Sequence, residues 1–208
     1  MEDKKKGQKT EIEVTVKPII NVNVGNTSKK KKKCCACSAT VNSFNEADNT
    51  TFRIQICPNC SMEGSSLFVQ STDIIITSSS FNLPKCYTTM EGDTVLEVSG
   101  SGFANFIGLP FQGTFTLMLV ERAGVEEDDV LFAFAGIGLD NSTSTLLGSI
   151  HEFVPDEDLS ITPCNNGCSC GSPPPVVQPT SKVLAATGKP RGMRRMVIVK
   201  PDGEVITR

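Results

Sequence analysis

Cys34, Cys35 and Cys37 stand together in "CCACS", Cys57 and Cys60 in "CPNC", and Cys164, Cys168 and Cys170 in "CNNGCSC", with Cys86 apart from all of them. Thiols at these spacings support three chemistries. Cys34-x2-Cys37, nineteen residues and then Cys57-x2-Cys60 has the spacing of a zinc ribbon, because each x2 pair supplies two of the four soft donors of a tetrahedral ion from one tight turn. The "CCAC" half lacks the glycine usual in a zinc knuckle, whereas "IQICPNCSMEG" has it. A redox role for "CPNC" needs the first thiol at a helix N-terminus, where the dipole lowers its pKa. Here the motif follows an alternating, strand-like run instead. The third chemistry is a disulfide framework. Adjacent Cys34 and Cys35 do not readily pair with each other, so they point to two different partners, and Cys34, Cys35, Cys37, Cys164, Cys168 and Cys170 are the candidates for bonds between copies of the chain. The total of nine is odd.

Little else in the chain suggests catalysis. His151 is the single histidine, so a Ser-His-Asp or Cys-His engine would have to be built on it, and its place in "LLGSIHEFV" fits a strand residue better than a base. "GVEEDDV" and "PDEDL" gather carboxylates without the spacing of a calcium loop, and such runs are commonly solvated turns. There is no Walker loop, dinucleotide fingerprint, nucleophile elbow or haem-attachment motif. The expectation is a protein that is not an enzyme, with no small-molecule substrate and no cofactor. Zinc on Cys34, Cys37, Cys57 and Cys60 is the alternative. An enzyme would require a pocket at His151 or Cys86.

The elements that must position these groups read as β throughout. "TEIEVTVKPIINVNVGN" alternates Ile12, Val14 and Val16, then Ile20, Val22 and Val24 beyond Pro18, which breaks the register of an otherwise strand-like arm. Its apolar face has to be buried, either in the chain's own sheet or along the edge of another subunit's. From residue 49 to 162, "TTFRIQIC", "SLFVQ", "DIIITS", "DTVLEV", "FANFIG", "GTFTLMLVE", "VLFAFAG" and "TLLGSIHEF" recur between Gly, Asn, Asp and Ser breakers. Short runs at this spacing, rich in Val, Ile, Phe and Thr, predict an all-β jelly roll or β-sandwich. "SPPPVVQP" is an extended spacer, and "RRMVIVKPDGEVITR" a hairpin about a Pro-Asp-Gly turn that must dock to be stable. The predicted layout is a basic arm with strand and Cys cluster (1–37), an acidic body (38–163), a Cys/Pro-rich linker (164–180) and a basic hairpin tail (181–208).

Charge is segregated along this layout. Residues 1–33 hold ten lysines against four acids, residues 34–180 three basic side chains (Arg53, Lys85, Arg122) against seventeen acids, and residues 181–208 seven basic against two acidic. So acidic a body is a poor match for nucleic acid, whose phosphates call for a basic face on the folded part. Acidic bodies of neighbouring copies suit the two cationic tails better. No stretch approaches eighteen apolar residues, so no membrane span is expected. Met1–Lys9 leads into the alternating arm rather than an apolar run with a cleavage site, which predicts no cleavable export signal.

A signal-less, cysteine-clustered β-protein with an N-terminal arm resembles the subunits of endospore appendages and other spore-surface proteins, which are jelly-roll proteins joined by disulfides carried on their arms. The resemblance rests on "CCAC" and the general layout. The chain departs from it in placing five lysines, Lys29–Lys33, before the double cysteine and in its long basic C-terminal tail. It implies a structural, self-assembling subunit of a filament or layer, extracellular or on a spore surface, joined by strand addition and intermolecular disulfides. A zinc-binding adaptor or interaction protein, cytoplasmic, is the alternative.

Overall fold

The computed structural model describes residues 34–140, 144–164 and 193–207. The arm residues Ile12, Val14, Val16, Ile20, Val22 and Val24, and the cysteines Cys168 and Cys170, lie outside the described residues.

The described chain is all-β. Its strands are β1 (Cys37–Asn45), β2 (Thr50–Ile56), β3 (Ser66–Gln70), β4 (Ile74–Phe81), β5 (Lys85–Thr88), β6 (Thr94–Phe106), β7 (Leu109–Glu121), β8 (Glu127–Gly138), β9 (Thr145–Pro155), β10 (Leu159–Pro163), β11 (Met193–Val199) and β12 (Val205–Thr207). All belong to one antiparallel sheet in the order β10-β1-β2-β3-β4-β6-β7-β8-β9-β11-β12, with β5 paired to the first part of β6. A jelly roll interleaves its strands through two Greek keys. Here strands adjacent in sequence are mostly adjacent in the sheet; β10 makes a long return to pair with β1, and β11 is back beside β9.

That return requires the sheet to curl. Along the sheet, β9 and β10 are eight strand spacings apart, roughly 38 Å if flat. The chain covers the gap with three residues, Asp156–Asp158, which reach about 14 Å at most from the end of one strand to the start of the next. The sheet therefore bends through a half-barrel that brings β9 back toward β1. A side-chain bond spans the approach: Asn45 Nδ2 donates to Glu152 Oε2 at 3.0 Å, across 107 residues of sequence.

The inner face follows the period of two in the sequence. Phe52, Ile54 and Ile56 of β2, Phe111, Phe115, Leu117 and Leu119 of β7, and Val130, Phe132 and Phe134 of β8 are all buried. With no tryptophan available, phenylalanines fill the width of the core. Phe115 meets Phe81 edge-on at 5.5 Å and stacks over Phe132 at 6.0 Å. Curvature is made by small residues on the concave side. Gly100 lies opposite Phe115 in the β6/β7 register, and a Cβ there would enter the Phe115 ring and the Ser80 carbonyl. Beside it, the β4/β6 register slips between Ser78 and Ser80, a bulge that bends the edge. Gly100→Ala is expected to destabilise the body by about 1–3 kcal/mol through overpacking, measured as a lower denaturant midpoint with unchanged slope.

The expected hairpin is present and has found its dock. β11 pairs with β9 over Met193–Val199, and β12 pairs with β11. Met196 and Ile198 are buried, so the tail adds to the body's core.

Candidate functional site

The cysteines expected from sequence to carry the chemistry converge where the start of β1, the end of β2 and the end of β10 meet. Cys57 closes β2 in the left-handed region, and "PNC" makes a single 3-10 turn in which Asn59 and Cys60 are also left-handed. The turn is held by the Cys60 N–H, which donates to the Cys57 carbonyl at 2.9 Å, and by the Cys57 N–H, which donates to Ser65 Oγ at 2.9 Å. Cys35 N–H donates to the Cys60 carbonyl at 3.2 Å, Cys164 N–H donates to the Ala36 carbonyl at 2.9 Å, and Cys34 forms a bridge with Ser61.

Three disulfides form here, Cys35–Cys57 and Cys60–Cys164 beside these backbone contacts and Cys37–Cys86 between β1 and β5, with Cα separations of 6.2, 5.6 and 6.3 Å, within the ordinary range for such bonds. Cys34 is disulfide-bonded as well. Cys35, Cys37 and Cys164, expected from sequence between subunits, are here bonded within one chain, and a sulfur in one disulfide has no valence left for another. The same chemistry bears on the zinc alternative. Cys37, Cys57 and Cys60 each bond to a cysteine outside the proposed ligand set, so the oxidised chain cannot offer four thiolates from Cys34, Cys37, Cys57 and Cys60. Nor are Cys57 and Cys60 bonded to each other as a redox dithiol would be. Three such bonds belong to an oxidising setting.

A second polar constellation lies at the turns that join β7 to β8 and β9 to β10. Arg122 N–H donates to Asp128 Oδ1 at 2.8 Å, Arg122 Nε stands 3.7 Å from Asp129 Oδ2, and His151 Nε2 lies 2.9 Å from Asp129 Oδ1. The His151 ring also packs 4.6 Å from Phe153, and as expected it is a strand residue, on β9. Asp128 is 1% exposed and its Oδ2 has no hydrogen-bond partner. Burial pushes its carboxyl up to about 6, the Arg122 N–H opposes that rise, and Asp156, Glu121 and Asp129 add to it. Glu152 is raised as well, again mainly by burial and against the Asn45 hydrogen bond. Sequence reasoning took "GVEEDDV" for a solvated loop. It missed Asp128 because β pairing, Asp128 to Val154, turns that one carboxylate of the run inward.

The sign of the Asp128 effect follows from its raised pKa. Below about pH 4 both folded and unfolded chains hold the proton. Between pH 4 and 6 the folded chain keeps it while the unfolded chain releases it, so stability falls as pH rises. Above 6 the penalty is constant at about 3 kcal/mol. Asp128→Asn is expected to raise stability at pH 7.5 by about 2–3 kcal/mol and to leave it nearly unchanged at pH 4, as read from denaturant midpoints. An equal effect at both pH values would show that the carboxylate is not the source.

No protein-family model, curated protein or solved structure matches the chain.

Two grooves mark the surface. One, of about 460 Å³, crosses β7, β8, β9 and β11 over Thr114, Thr116, Ala133, Ala135 and Ser149, with Arg195 as its one ionisable side chain. The other lies at Leu109, Asp140 and Lys200–Asp202. Neither is lined by His151 or Cys86. Among the described residues no His, Cys, Asp or Glu group is arranged to hold a metal, and no helix is long and apolar enough to cross a membrane. Among the described strands, β5, β10 and β12 each pair on one side only, and the Ile161 N–H of β10 donates to Glu121 Oε2 at 3.2 Å.

Proposed function

We propose that this chain is a structural, self-assembling subunit of an extracellular or spore-surface filament or layer, with no enzymatic role and no metal cofactor. The observation that carries the reading is that, among the described strands, β5, β10 and β12 each pair on one side only, with the Ile161 N–H of β10 donating to Glu121 Oε2 at 3.2 Å, in a chain that also contains the alternating segment 11–24. An edge strand presents a row of unsatisfied N–H and C=O groups. An alternating strand from another copy satisfies them while laying Ile12, Val14 and Val16, or Ile20, Val22 and Val24, along the apolar face. In this reading the curled sheet plays the part of the jelly-roll body of appendage subunits, and its disulfides keep the receiving edge rigid.

Covalent locking then falls to a cysteine outside the three bonds and other than the bonded Cys34, with Cys168 or Cys170 the first candidate. An odd total of nine leaves one sulfur per chain without an intrachain partner when all the others pair internally. The test is electrophoresis of the alkylated, boiled chain with and without reductant, alongside sedimentation of the native protein. Species of two or more chains that collapse to one band on reduction support the reading. A ladder that persists after Cys168 and Cys170 are both changed to serine would return Cys34, Cys35, Cys37 or Cys164 to a role between chains. A monomer in both lanes and in the centrifuge, carrying one zinc per chain on free thiols, would favour the adaptor with Cys34, Cys37, Cys57 and Cys60 as ligands.

A further inference from the structure

Three turns meet at one end of the body and concentrate its negative charge. Segments 91–93, 121–129 and 156–158 contain ten carboxylates against one guanidinium, Arg122. They share a surface because the backbone ties them together: Ala123 N–H donates to Asp93 Oδ1 at 2.9 Å, and Asp156 N–H donates to the Glu126 carbonyl at 3.4 Å. Glu91, Glu126, Glu127, Asp156 and Glu157 are exposed. Arg122 is already committed to Asp129. Behind the surface lies Asp128, almost fully buried with one carboxylate oxygen unpartnered. Holding so many like charges together works against the compact state, and the described fold places one guanidinium among them.

We propose that this acidic end is the docking surface for the lysine run Lys29–Lys33 of a second copy. The inference rests on the self-assembly reading above and gives it a location. The carboxylates sit on separate turns, and among the described residues none are grouped tightly enough to coordinate a metal. A single compact ion therefore finds no ligand shell here. Five ammonium groups, each on a flexible four-carbon stem, can spread across three turns and reach them severally. The chain order gives the contact its purpose. The Asp156–Asp158 turn leads directly into β10, which among the described strands pairs on one side only and whose Ile161 N–H donates to Glu121 Oε2 at this same acidic end, and Lys29–Lys33 follows the strand segment 11–24 by four residues. A lysine run seated on this turn holds the apolar strand beside the edge that is to receive it.

The experiment uses the full chain in three forms: wild type, an acid-end variant (Glu126→Gln, Glu127→Gln, Glu157→Gln), and a lysine variant with Lys29–Lys33 all changed to glutamine. Sedimentation velocity across a concentration series reads association, and thermal melting of each body checks that it folds. Each variant alone is expected to need at least tenfold more protein to assemble than wild type, and salt is expected to weaken wild type in the same direction. Mixing the two variants is expected to restore mixed complexes, because one supplies intact lysines and the other an intact acid end. Variants that assemble as wild type does would overturn this docking surface and leave the assembly reading standing. Weakened variants that do not recover on mixing would place the contact within one chain and also overturn it. A wild type that stays monomeric at every concentration removes the assembly reading itself.

Discussion

Replacing Cys60 and Cys164 together by serine is expected to lower the unfolding free energy of the body by about 4–5 kcal/mol. In the chain-entropy view a crosslink acts mainly by restricting the unfolded ensemble, and the restriction grows with the loop it closes. Cys60–Cys164 spans 104 residues, against 22 for Cys35–Cys57 and 49 for Cys37–Cys86. It also ties the turn after β2 to the end of β10, the strand that makes the long return across the curled sheet. This pair gives the cleanest test because both cysteines are half-buried, so the two new hydroxyls can still reach water. Serine at Cys35 and Cys57, 1% and 0% exposed, would add the cost of burying unpaired hydroxyls. For a chain of this size the loss corresponds to a melting temperature lower by about 10–20 °C. Calorimetry with and without the double substitution reads it directly. A shift of only a degree or two would mean that Cys60 and Cys164 are not joined in the folded protein.

The strands were legible where period-two burial is strong and failed to read where it is not. "TTFRIQIC" and "SLFVQ" become β2 and β3 nearly as written, because every second side chain is large and apolar. "DTVLEV" and "FANFIG" looked like two strands separated by a Ser-Gly-Ser-Gly breaker, yet they form one continuous β6. Gly100 makes room there for Phe115 of β7 and Gly102 for the Thr77 carbonyl of β4, tertiary reasons that no local pattern carries. β1 went unread because Ser38, Thr40, Asn42 and Asn45 look like loop residues beside a cysteine cluster. β5 is four residues long and was hidden for the same reason. Pairing of cysteines was not accessible at all: C-x2-C spacing describes which sulfurs are close along the chain, and the fold joined those that are close across β1, β2, β5 and β10. The acidic end shows the same limit, since its turns are about thirty residues apart in sequence and meet only because the sheet places the β7–β8 and β9–β10 connections side by side.

Deleting residues 1–25 is expected to raise the concentration needed for assembly by more than a hundredfold while leaving the melting of the body unchanged. The body's independence follows from the core that the described strands build among themselves, tied by three disulfides. The assembly loss follows from what the deletion removes. Each of Ile12, Val14, Val16, Ile20, Val22 and Val24 contributes about 1.5–3 kcal/mol when fully buried, and the ladder of backbone hydrogen bonds along the edge goes with them. Ordering the arm offsets much of this gain, so the balance is sensitive to any lost side chain, and Val14→Asp with Val22→Asp should reproduce most of the deletion. Pro18 cannot donate to a ladder, which makes the two halves of the arm separable: aspartate at Val14 alone or at Val22 alone shows which half carries the contact. The competing surface is the outer face of the sheet, where Phe103, Ile137 and Leu147 are 44%, 63% and 48% exposed. If the truncated chain assembles as the full chain does, and Ile137→Lys abolishes that assembly, then copies meet through this face and the strand-addition mechanism falls. If the truncation abolishes assembly and Ile137→Lys has no effect, the arm is the joint.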